Sequence, residues 1–170
     1  MKAHELFRLL STSEVAAIVL DACEVEELAE RIAGGVITYQ QIPLKRFSRL
    51  SDETRKAYVR RTLRDKRASD LALYVLSAAL TKGKAKMIEA FLDATGLPHD
   101  GPSLSFEGEI PEPPKAKVRA AVDELLKSFP PRDASLYRHA FTAQPDVHWA
   151  LLDERLATDA RLKLEDRSAD

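Results

Sequence analysis

Four cations, Lys56, Arg60, Arg64 and Arg67, follow one another at steps of four, four and three residues. On a helix that spacing places them on one face. A cationic face can neutralise phosphates, with an affinity that falls steeply as salt rises. The four belong to the densest positive segment of the chain, residues 45–67, which carry ten Lys/Arg against three Asp/Glu, a local excess of +7. The same stripe has an ordinary explanation as a solvated helix face, balanced in part by Glu24, Glu26, Glu27 and Glu30. Tyr58 falls on an apolar stripe, and no RNA-recognition signature accompanies it. Nucleic acid or another polyanion is a partner class to carry forward.

A second candidate is His99 beside Asp100, in a proline-bounded stretch. A histidine next to a carboxylate suits acid/base work, and loops often carry such groups. Adjacent side chains need not converge, however, and Asp100-Gly101-Pro102 is equally the chemistry of a turn. The remaining residues offer less. His139 and His148 straddle Pro145 at a spacing that matches no helical metal pair, so no metal or cofactor is expected. Cys23, the one cysteine, has acids rather than cations around it, which disfavours a reactive thiolate. Gly83-Lys84 lacks the upstream glycine and the following Ser/Thr of a phosphate loop. The pairs Glu107/Glu109 and Asp153/Glu154 read as surface acids.

The elements that position these groups are helical. Hydrophobic residues make up 45% of the 170 and charged residues 31%, which excludes disorder throughout. The apolar residues recur at three- and four-residue steps, and glycines number only six. The organising stretch is Leu71–Thr81, eleven positions without a formal charge, flanked by Asp70 and Lys82. As a helix it spans about 16 Å, short of the roughly 20 residues that a membrane crossing needs. The amino terminus lacks the apolar run of a signal peptide. The expectation is a cytoplasmic protein with no membrane partner.

Ser11-Thr12-Ser13-Glu14 reads as a capping box. The stretch that follows, with Val15, Ile18, Ala22, Val25, Ala29 and Ile32 on one face, fits either one helix to Ala33 or two pieces broken near Asp21–Glu24. Gly34-Gly35 is expected to stop it, and Val36–Ile42 is the least helical stretch. A short helix should run from Pro43 to about Leu50. Ser51-Asp52-Glu53 caps the basic helix, with Lys66-Arg67 against its negative end. A helix carrying Met87, Ile88, Phe91 and Leu92 ends at Gly96-Leu97-Pro98. Residues 97–114 form a long proline-rich loop, pinned by Leu104, Phe106 and Ile110. Helices then follow Pro114, Asp133 as a cap, and Asp146 as a cap, the last aligning Trp149, Leu152 and Leu156.

The fold class is thus all-α: about eight to nine short helices packed around a central apolar helix (about residues 69–81). Successive antiparallel helices of this kind can form an irregular helical-repeat-like stack. Residues 1–164 are expected to make one helical domain and 165–170 a flexible tail. With no catalytic constellation, the expected role is a non-catalytic helical interaction or regulatory module with a protein partner. Self-association as a homo-oligomer is compatible with it. Polyanion binding through Lys56, Arg60, Arg64 and Arg67 is the alternative, and a small enzyme using His99 and Asp100 is the third.

Overall fold

A computed structural model of the chain describes residues 1–106 and 108–170. Glu107, read above as a surface acid, lies outside the described residues. The protein is all-α, 67% helical, with ten α-helices and a two-stranded hairpin among the described residues. The chain divides into two compact units, residues 2–79 with 166–170 and residues 80–165 with Met1.

In the first unit, α1 (Ala3–Leu9) buries Leu6 and Phe7 completely. The capping box then opens α2 (Thr12–Cys23): the Glu14 amide donates to Ser11 Oγ at 3.1 Å, and the Ser11 amide donates to Glu14 Oε2 at 2.8 Å. A hydroxyl cap of this kind contributes about 1 kcal/mol. The stretch from 14 to 33 is two helices. The chain turns at residues 24–27, Glu27 taking a left-handed φ of 65°, and α3 (Leu28–Tyr39) follows.

The expected stop at Gly34-Gly35 is absent, because α3 runs through both glycines and through the supposedly non-helical 36–39. The reason is packing. A Cβ at Gly35 would collide with Leu71 Cδ2, so the bare backbone admits the Leu71 side chain. That contact outweighs the cost of about 1 kcal/mol for glycine in a helix interior.

Pro43 leads into the single turn α4 (Leu44–Phe47), shorter than expected. Ser51 caps α5 (Asp52–Leu63) by accepting from the Thr54 amide at 3.3 Å. That helix ends before Lys66 and Arg67, which belong instead to a 3-10 turn, Lys66–Ala68, begun by Asp65. The apolar helix is α6 (Ser69–Gly83), whose Ala72, Val75 and Leu76 have no exposure. Its residues to Ala79 belong to the first unit and the rest to the second. The amide of Arg167 donates to Leu9 O at 3.0 Å, tying 166–170 to the end of α1.

In the second unit, α7 (Ala85–Thr95) ends as the sequence predicts. Gly96 takes φ 73°, its amide reaching Leu92 O and Asp93 O, and the Leu97 amide reaches Leu92 O at 3.2 Å. This pair of hydrogen bonds is a Schellman stop. The proline-rich loop holds the unforeseen hairpin, β1 (His99–Asp100) with β2 (Ser103–Leu104). Ile110 is buried, while Phe106 remains 36% exposed.

Helix α8 (Lys115–Ser128) packs along α7. The next helix, α9 (Pro131–Thr142), starts with proline at its first position rather than with an Asp133 cap. Asp133 sits in its first turn and pairs with Lys84 at 2.6 Å. Nor does Asp146 cap α10 (Ala150–Thr158). Trp149 holds the N-cap position, and Glu112 Oε1 accepts from the Leu151 amide at 2.7 Å. The core of this unit is aromatic, Phe91, Tyr137, Phe141 and Trp149 meeting at centroid distances of 4.9–6.1 Å.

Candidate functional site

Helix α2 is apolar on more sides than its unit covers. It buries Val15 and Ala22, while Ala16, Val19, Leu20 and Cys23 form a second stripe at i, i+3, i+4, i+7, with Leu20 69% exposed. A helix apolar nearly all round needs cover on most sides. Opposite this stripe runs α5, and between them lies a groove of about 510 Å³. Val59 and Ala57 continue its apolar lining, and Asp52, Glu53, Arg55, Lys56 and Arg60 form its rim. At one mouth Arg60 donates to Thr12 Oγ1 at 2.6 Å, joining the two helices. Burial in the groove pushes the Cys23 thiol up.

A second, more open hollow of about 680 Å³ adjoins it, sharing Ala57 and Arg60. Arg8, Arg60, Arg61, Arg64 and Lys66 line it, with Asp65 as the one acid. Arg64 Nε donates to Phe7 O at 3.0 Å and its Nη2 to Leu10 O at 2.7 Å, closing the end of α1. Burial and the neighbouring Arg60 charge together lower its pKa.

The four cations of the predicted stripe therefore have separate duties. Lys56 pairs with Glu53 at 2.9 Å on the groove rim, Arg60 holds Thr12, and Arg64 caps α1. Arg67 lies beyond the end of α5. It pairs with Asp65 at 2.7 Å and reaches Tyr39 O at 3.3 Å. Hydrogen bonds from Arg67 hold the Asp65 carboxyl down at about 2. The hollow is completed by Arg8, Arg61 and Lys66, which spacing alone did not select.

His99 does not pair with Asp100. Its Nδ1 faces Gly101 O at 2.7 Å and its Nε2 faces Asp93 Oδ1 at 3.2 Å, while Asp100 is exposed. With an acceptor at each ring nitrogen, the imidazolium is the form that satisfies both. The Gly101 carbonyl first and the Asp93 carboxylate second raise its pKa. These bonds brace the hairpin turn. Among the described residues no group of three metal-ligating side chains converges, and no helix is long and apolar enough to cross a membrane.

The second unit holds a smaller hollow of about 80 Å³ between α8 and α10, with Lys115, Arg119, Glu154 and Arg155 on its walls. Deeper in that unit, Arg138 has no exposure, stacks over the Phe91 ring at 4.3 Å, and has no hydrogen-bond acceptor among the described residues.

Comparison of the chain with protein-family models, curated proteins and solved structures finds no match. Among the described residues, the α2–α5 groove with its basic neighbour is the candidate site carried forward. A sequence signal for it existed: once Val15, Ile18, Ala22 and Val25 are assigned inward, the residues left over on α2 are apolar as well.

Proposed function

We propose that this chain is a non-catalytic helical interaction module that binds another protein, and that the groove between α2 and α5 is its contact surface. One observation carries the reading: a groove of about 510 Å³ whose walls include the exposed side chains of Leu20, Ala16 and Cys23. Exposed apolar area of this kind costs free energy in water and is relieved by a partner. Grooves between helices accept amphipathic helices through anchors at i, i+3, i+4 and i+7.

The test compares proteins retained from lysate by the wild type and by Leu20→Glu. Leu20 is largely exposed, so the substitution should leave helicity unchanged. A defined set of partners lost by Leu20→Glu supports the reading, and the same set retained by both proteins refutes it.

The basic hollow favours polyanion binding as a second reading. It rests on Arg60 and Arg64 from the predicted stripe together with Arg8, Arg61 and Lys66. Retention on immobilised nucleic acid at low salt, lost by Arg61→Glu/Lys66→Glu, is the expected result. Wild-type protein passing straight through would end it.

A further inference from the structure

Resting on the groove reading, we infer that the partner is an acidic amphipathic helix: its apolar stripe fills the α2–α5 groove and its carboxylates lie over the adjoining basic hollow.

The two concavities share part of a wall. Ala57 and Arg60 line both, so a rod seated along α5 in the groove holds one flank above Arg60, Arg61 and Lys66. The apolar stripe of α2 extends over Ala16, Val19, Leu20 and Cys23, about 10 Å of helix at 1.5 Å per residue. That length matches two turns of a ligand helix and its repeating anchors.

The charges at the two ends differ. At the start of α5 the rim is internally balanced, since Asp52 pairs with Arg55 at 3.5 Å and Glu53 with Lys56 at 2.9 Å. At the far end the balance fails. Five cations line the hollow, and its one acid, Asp65, is held by Arg67. Arg8 and Arg64 donate to backbone carbonyls and Arg60 to a threonine hydroxyl. Such bonds satisfy N–H groups but cancel no charge. Arg61 and Lys66 are paired with no described residue.

Carboxylates placed over this hollow would meet a positive potential sharpened by low-dielectric walls. They would add specificity and association rate to an affinity supplied by apolar burial. A nucleic acid satisfies only half of this surface, because its phosphates answer the hollow and leave the apolar groove in water.

The experiment is a display selection of helical peptides on the immobilised protein, each winner then measured against wild type and Leu20→Glu, with helicity of every protein checked by circular dichroism. The expected winners carry apolar residues at i, i+3, i+4 and i+7 with Asp or Glu on one flank. Their affinity should fall about tenfold or more on Asp/Glu→Asn/Gln exchange or on Arg61→Glu/Lys66→Glu in the protein. They should also shield Cys23 from alkylation.

Winners with the apolar stripe but a neutral or basic flank would overturn the acidic partner while leaving the groove reading intact. Peptides that bind Leu20→Glu as well as wild type would overturn the groove reading and this inference with it. Failure to enrich any helix, together with retention of nucleic acid by both proteins, would also overturn the inference and transfer the hollow to polyanion binding.

Discussion

Arg8 and Arg64 each close the end of the other's helix. Arg8, in the last turn of α1, donates from Nε to the backbone carbonyl of Arg64 at 3.0 Å. Arg64, the C-cap of α5, donates to Phe7 O at 3.0 Å and Leu10 O at 2.7 Å. Two like charges are held together because each answers the negative end of a helix and its unpaired carbonyls.

Arg64→Ala should therefore lower stability by about 1–3 kcal/mol, the worth of hydrogen bonds from a charged donor. Arg61→Ala, three positions earlier and paired with no described residue, should change it by no more than about 0.5 kcal/mol. Urea unfolding midpoints at unchanged slope provide the measurement. Arg64→Lys should recover little, since an ammonium lacks the planar fork that reaches two carbonyls. Equal losses at Arg61 and Arg64 would refute the reciprocal caps.

The adjacent glycines of α3 should respond with opposite signs. A Cβ at Gly34 meets nothing within 4 Å, so Gly34→Ala should stabilise by about 0.5–1 kcal/mol. Gly35→Ala drives a methyl into Leu71, which is 8% exposed and must move, so it should cost about 1 kcal/mol or more. Thermal unfolding of the two single variants decides the point, and matching gains would show that Leu71 does not require the glycine.

Arg138 is a buried cation whose three guanidinium nitrogens lack acceptors among the described residues, and burial lowers its pKa to about 10. Removing such a charge from water costs several kcal/mol, whereas stacking on Phe91 returns about 2 kcal/mol. Arg138→Met, which keeps chain volume, should be at least as stable as wild type, with a gain of about 1–3 kcal/mol. Arg138→Ala should gain less because it leaves a cavity. A marked loss of stability in Arg138→Met would show that the guanidinium has an acceptor in solution.

The hairpin should carry a pH dependence through His99, whose pKa is raised by Gly101 O and Asp93. A folded-state pKa above the unfolded value gives stability that is full below the unfolded pKa. It is lost as pH rises through the folded pKa. His99→Gln should thus reduce stability more at pH 5 than at pH 8, and an NMR titration of the ring should give a pKa above 6.5. An equal effect at both pH values would refute the assignment.

What could be read from the sequence was whatever depends on near neighbours. The Ser11 capping box and the Gly96-Leu97 stop each require a few consecutive residues in one conformation, and both formed as expected. Gly34-Gly35 failed because a helix-ending glycine and a packing glycine look alike locally, and only Leu71, from a different helix, distinguishes them. The site followed the same rule. The spacing of Lys56, Arg60 and Arg64 along α5 was visible, but Arg64's caps depend on carbonyls of α1. His99 found its carboxylate six residues upstream rather than next door, because the hairpin turned the ring back towards Asp93.

Cys23 is the one cysteine of the chain, and this exposed residue lies on the groove wall. Handled in air without reductant, two copies joined through its sulfur would each have the other pressed against the same wall. A preparation that binds nothing until reduced would then be reporting its own crosslink, and one dye attached at this thiol would register any occupant directly.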